Sequence, residues 1–175
     1  ENNDNNTGRS EGEILDEYWY PNPDGATGIV WVGEDLYVVS YNFNEVRKVN
    51  PLSGFLISTF PVDGNPYGIT WDGQYLWVGT IEGNIYGYDL DGTPVGSFSS
   101  PASYPALTWD GEYFLVASMF DYDPTFYKID YAGNVIETFT SSIGDWISQM
   151  VWVPGHHGGN LWTVHESDGA VRRFD

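Results

Sequence analysis

The chain has 175 residues, with 25 acidic side chains against 6 Lys and Arg, a formal net charge of −19 and no cysteine. That length suits one domain with a sizeable core; the charge repels phosphate backbones and anionic lipid, so nucleic acid is not an expected partner; and without thiols there are neither disulfides nor thiolate metal sites. No apolar run reaches the length of a membrane span, so membrane insertion is not expected, while 17% aromatic residues with 21 Gly and 10 Pro favour short strands and tight turns.

The chain opens on Glu1 and a polar stretch, Asn2-Asn3-Asp4-Asn5-Asn6-Thr7-Gly8. It reads as the spacer left when a signal peptide is removed, which points to a secreted, extracellular or cell-surface protein. Residues 1–11 are set apart as a polar tail and a candidate contact with a neighbouring subunit. From Gly28 a phrase recurs: Gly28-Ile29-Val30-Trp31 before Asp35-Leu36-Tyr37-Val38-Val39, then Gly68-Ile69-Thr70-Trp71 before Tyr75-Leu76-Trp77-Val78-Gly79. Ala106-Leu107-Thr108-Trp109 and Gln149-Met150-Val151-Trp152 carry it on, and the Trp-to-Trp spacings are 40, 38 and 43 residues. That period is one four-stranded propeller blade.

Each repeat closes on a Gly followed six residues later by an aromatic: Gly54 to Phe60, Gly92 to Phe98 and Gly133 to Phe139. The fourth copy ends at Phe174-Asp175, one strand short, and Gly12-Glu13-Ile14-Leu15-Asp16-Glu17-Tyr18 shows the same step ahead of the first copy. The expectation is an all-β, four-bladed β-propeller with blades at 26–60, 66–98, 104–139 and 147–175, the last completed by 12–20. A strap of this kind covers the seam where edge strands pair with other chains. The alternative is a piece of a larger propeller. Trp31, Trp71, Trp109 and Trp152 are expected to pack between blades.

Function has to sit in loops. One face of such a ring collects the loops leading into the innermost strands and the loops joining second to third strands. Here they carry Asp24, Tyr41, Asp63, Glu82, Tyr104, Asp121, Asp145, Trp146 and His165. Rings beside carboxylates suit carbohydrate or organic cations, although Asn, Asp, Gly and Pro also serve ordinary turns. No Ser-His-Asp or nucleophile-elbow pattern is present, and no carboxylate is marked out for acid–base work. Lys48, Lys128, Arg47, Arg172 and Arg173 fall on third strands, where they neutralise carboxylates at the rim. His156-His157 reads as a solvated loop. No cofactor is required; calcium is the ion to consider, at Asp89-Leu90-Asp91-Gly92, at Asp121-Tyr122-Asp123, or in an axial channel lined by backbone carbonyls, though neither stretch continues into an EF-hand loop.

The run from Gly68 through Trp71-Asp72-Gly73-Gln74-Tyr75 to Val78, continuing to Ile85-Tyr86-Gly87-Tyr88-Asp89, resembles repeats of secreted bacterial propellers. These are related to glutaminyl-cyclase-like, virginiamycin B lyase-like and gluconolactonase-like proteins, and the repeat also occurs in long surface proteins of bacteria and archaea. The resemblance covers the chain from Gly12 onward and implies the propeller. It carries no catalytic residue, because the shared letters are those that pack blades and no catalytic motif of those enzymes matches here. The expected function is a secreted, non-catalytic interaction or structural module, polymer-forming in one version, with a protein partner, self-association or carbohydrate as its ligand. The alternative is a carbohydrate-binding module, lyase or hydrolase working through the acidic-aromatic face.

Overall fold

The computed structural model describes residues 25–142, 144–156, 158–165 and 169–174. Among these residues, fifteen strands make four antiparallel sheets. Blade one holds β1 (Ala26–Val32), β2 (Asp35–Ser40), β3 (Glu45–Val49) and β4 (Leu56–Pro61). Blade two holds β5 (Pro66–Trp71), β6 (Leu76–Thr80), β7 (Asn84–Tyr88) and β8 (Pro94–Ser99). Blade three holds β9 (Pro105–Trp109), β10 (Phe114–Ser118), β11 (Thr125–Ile129) and β12 (Val135–Thr140). Blade four holds β13 (Ile147–Trp152), β14 (Leu161–His165) and β15 (Val171–Phe174). The fold is the four-bladed β-propeller that the repeat predicts. The strap expected at 12–20 and the tail 1–11 lie outside the described residues.

Turn chemistry spaces the strands. Asp72 Oδ1 accepts from the backbone N–H of Gln74 (2.7 Å) and Tyr75 (2.6 Å), and Asp110 Oδ1 repeats this with Glu112 and Tyr113. These side-chain turns close the first hairpins of blades two and three. The Asp89-Asp91 pair considered for calcium is used in the same way, accepting from the N–H of Asp91 and Thr93. Among the described residues, no three His, Asp or Glu side chains gather around a point where an ion would sit.

The inner strands β1, β5, β9 and β13 stand side by side around one axis. Gln149 of β13 reaches across to donate from Nε2 to the Thr27 carbonyl ahead of β1 at 2.9 Å. The approach between β5 and β9 needs a residue without a side chain: a Cβ on Gly68 would lie 2.4 Å from the Pro105 carbonyl oxygen. Outward from this axis blades one, two and three each bury one face against the next. Tyr37, Val39 and Val46 of blade one meet Ile69, Leu76 and Val78 of blade two. Trp77 and Phe98 meet Phe114 and Ile129. Leu115 and Phe126 meet Ile147, Met150 and Leu161. Each such side chain removed from water contributes about 1.5–3 kcal/mol.

Trp71, Trp109 and Trp152 pack half-buried on these three clusters, as expected. Trp31 does not. It is 57% exposed, its indole N–H donating to the Gly33 carbonyl at 2.6 Å, because it lies on the face of blade one that looks toward blade four. Ile29, Val151, Val164 and Val171 on the two sides of that seam are likewise 45–61% exposed.

Four of the five third-strand cations meet carboxylates, Lys48 with Asp35 (2.9 Å), Lys128 with Asp110 (3.2 Å), Arg47 with Glu45 (2.6 Å) and Arg172 with Asp145 (3.9 Å), while Arg173 lies over the Trp162 ring. In the turn after β13, His156 packs on Trp162 and accepts its indole N–H at 3.1 Å; His157 lies outside the described residues.

The Gly68 contact yields a test of the axis. Gly68→Ala forces backbone apart and should cost about 1–3 kcal/mol, or several degrees of Tm at roughly 2–4 °C per kcal/mol for a chain of this size. Gly96→Ala, where nothing lies within 4 Å of the added methyl, is the control and should leave the thermal unfolding curve in place.

Candidate functional site: an aromatic face across four blades

The loops that lead into inner strands and those that join second to third strands bring a row of rings together. Tyr41, following β2, contacts Tyr67 with ring centroids 6.4 Å apart. Tyr67 contacts Tyr104 at 5.9 Å, Tyr104 contacts Phe120 at 4.7 Å, and Phe120 contacts Trp146 at 6.3 Å. All four contacts are edge-to-face, between 66° and 82°, the arrangement that ring quadrupoles favour. The row draws on every blade. Phe120 is 51% exposed and Trp146 40%, while Tyr41, Tyr67 and Tyr104 are half-buried.

Two backbone devices aim these rings. In the β5–β6 ladder Pro66 pairs Thr80 and Gly68 pairs Gly79, so Tyr67 is the extra residue of a bulge. A bulge bends its strand and redirects one side chain. Tyr104 has φ of 48°, a left-handed conformation that costs a bulky residue on the order of 1–3 kcal/mol. The Tyr104 carbonyl accepts from Met119 N–H at 3.3 Å, which ties this strained residue to the loop carrying Phe120.

The other sequence-selected residues divide around this row. Asp63 and Asp121 are exposed on the same loops. Glu82 is also exposed, and its carboxylate accepts from Asn65, through the backbone N–H at 3.2 Å and through the side-chain amide. Burial pushes the Glu82 pKa up, but the Asn65 hydrogen bonds, with smaller ones from its own backbone and Thr80, outweigh it and hold the carboxyl below the usual range. Asp145 and His165 are 3% and 1% exposed, so they lie beneath the face. Asp24 lies outside the described residues.

Below Trp146 is a buried polar chain. His165 Nε2 lies 2.7 Å from Thr163 Oγ1, and His165 Nδ1 lies 4.0 Å from Asp145 Oδ2. The order hydroxyl–imidazole–carboxylate is that of a nucleophilic triad. Its second step is longer than a hydrogen bond, and Thr163 is buried, 1% exposed. Asp145 instead works locally: its Oδ1 accepts from Trp146 N–H at 2.8 Å and its own N–H donates to the Tyr122 carbonyl at 2.9 Å. The carboxylate thus positions Trp146.

Sequence reasoning missed Tyr67 and Phe120 as site residues, and it missed the Thr163–His165 pair. The signal for the pair was present, since residues two apart on a strand share a face. The bulge at Tyr67 has no comparable mark.

No protein-family model matches the chain, and no curated protein sequence does. Solved structures do. The Myxococcus xanthus glutaminyl cyclase superposes with a TM-score of 0.67 at 14% identity, over 85% of this chain and 73% of that one. This fixes the β-propeller and nothing narrower. BBS1N in complex with ARL6DN gives 0.59 at 14% identity, over 90% of this chain and 52% of that one. BamB from Moraxella catarrhalis gives 0.55 at 14%, over 83% and 42%. The chain therefore spans about half the length of the latter two.

The Glu82–Asn65 tie has a signed pH dependence. A depressed folded pKa stabilises the loop above the ordinary carboxylate value, and that contribution is lost as pH falls through the lowered value. The Asn65 amide resonances should hold steady from neutral pH down past the ordinary carboxylate range and then shift with a midpoint below it. Glu82→Gln should abolish that transition.

Proposed function

We propose that this chain is a secreted, non-catalytic interaction module that engages its partner through the aromatic face, and that the partner is a protein segment carrying Lys or Arg. The carrying observation is the row from Tyr41 to Trp146, five rings from four blades held in place by a bulge and a strained residue. Rings of this kind accept aliphatic stems and, face-on, positive charge. Exposed Asp63 and Asp121 lie on the surrounding loops, and a net charge of −19 steers a cationic partner in and opposes self-association. The similarity to BBS1N in its complex with ARL6DN supports a protein partner by analogy of fold alone.

A second reading, carbohydrate binding, draws on the exposure of Phe120 and Trp146, whose faces suit the C–H side of a sugar. Salt separates the two. Calorimetric titration with an oligo-lysine peptide should show binding that weakens as salt rises, and neutral oligosaccharides should give no heat. Phe120→Ala and Trp146→Ala should each weaken peptide binding at least tenfold, about 1.4 kcal/mol, with unchanged Tm. Salt-independent binding of an oligosaccharide without peptide binding, or variants that bind like the parent, would refute the proposal.

A further inference from the structure

The three blades with four described strands share one outer register. Phe60 stands opposite Val46, Phe98 opposite Ile85 and Phe139 opposite Phe126. One residue back, Thr59 faces Arg47 and Thr138 faces Tyr127; two back, Ser58 faces Lys48 and Glu137 faces Lys128. A bulge then skips one residue, so that Leu56 faces Val49, Pro94 faces Tyr88 and Val135 faces Ile129. Each outer strand leads on to the inner strand of the next blade, with Ile147 eight positions after Phe139. Blade four precedes blade one around the ring, and Ala26, where β1 begins, likewise stands eight positions after Tyr18.

In blade four Val171 pairs Val164 as Val46 pairs Val39 in blade one. Carrying the shared register over assigns every pair. We propose that the outer edge of β15 is the docking surface for residues 12–20 of this same chain, with Tyr18 opposite Val171, Glu17 opposite Arg172, Asp16 opposite Arg173 and Ile14 opposite Phe174.

Three observations independent of the Gly-to-aromatic step agree with this register. It sets two acids against two arginines, with Asp16–Arg173 at the position where blade three sets Glu137 against Lys128. Opposite charges facing each other across strands attract, and a slip of one residue would put Tyr18 or Leu15 against an arginine. It also puts Tyr18 on the same side as Val171 and Val164. Those two residues, with Ile29, Val151 and Trp162, line a cleft of about 190 Å³ at the seam between blades four and one. In the other blades the corresponding aromatic covers this kind of seam: Phe60 lies against Tyr88 of blade two at 5.6 Å, and Phe98 against Phe114 of blade three at 5.5 Å. Finally, Ile14-Leu15 reproduces the apolar start of the other outer strands, Leu56-Ile57 and Val135-Ile136.

The absence of cysteine makes a direct test clean. Residues directly opposite in antiparallel strands have Cα atoms about 4.5–5.5 Å apart, within disulfide range. The Tyr18→Cys/Val171→Cys variant should form an intramolecular disulfide on mild oxidation, mapped by mass spectrometry. The off-register pair Ile14→Cys/Val171→Cys should not. A Tyr18–Val171 pair that stays reduced in folded protein, or that links only between chains, would overturn the proposal; the second result would make another copy the occupant. Charge exchange covers the case in which the cysteine variants misfold. Arg173→Glu should lower Tm and Asp16→Arg in the same chain should restore it. Failure of the double variant to recover stability beyond either single one would also overturn the assigned register.

Discussion

The structure depends first on how closely its inner strands approach one another. With only four blades, the strands nearest the axis approach closely, and between β5 and β9 a Cβ at Gly68 would lie 2.4 Å from the Pro105 carbonyl oxygen. Everything outward follows from that approach. Because a propeller blade widens away from the axis, the second strands of blades two and three are buried on both faces while outer strands meet solvent. β6 and β10 are buried along their whole length, whereas β12 is exposed along all of its own. Large aromatic residues fill the widening wedge, as Trp77, Phe98 and Phe114 do between blades two and three. Trp77 is held there by a hydrogen bond from its indole to Asp72 (2.7 Å), which also accepts from Tyr131 (2.9 Å).

Much of the strong negative charge is invested in architecture. Asp72, Asp110 and Asp130 each accept backbone N–H groups within a turn, and Asp35 and Asp110 meet third-strand lysines. Hydrogen bonds from Asn134 to the Asp130 carboxylate outweigh its slight burial and keep its pKa low, so this turn holds its charge well into the acid range. In the Asp89-Asp91 turn, one oxygen of each carboxylate accepts from the chain that carries it.

The aromatic face differs from these turns because it costs the fold something. A tyrosine with positive φ and a buried carboxylate accepting from the Trp146 N–H set these loops apart, whereas the bulge at the second residue of β5 recurs in β1 and β13. Strain and redirection of this sort concentrate where a surface must be presented in a fixed shape.

The sequence by itself determined the blade. A period near forty residues, the Gly-to-aromatic step and the Asp-Gly turns are local signals, and each acts through neighbours in the chain or through one adjacent sheet. It also placed Tyr41, Tyr104 and Trp146 on the loops of one face, since loop membership follows from strand order. Tertiary structure alone decided that these rings touch in a row with Tyr67 and Phe120, that Trp31 faces a seam instead of a core, and that Asp145 and His165 lie under the face. Those outcomes depend on which blade stands beside which and on how closely the axis lets them approach, and no spacing along the chain records a distance around a ring.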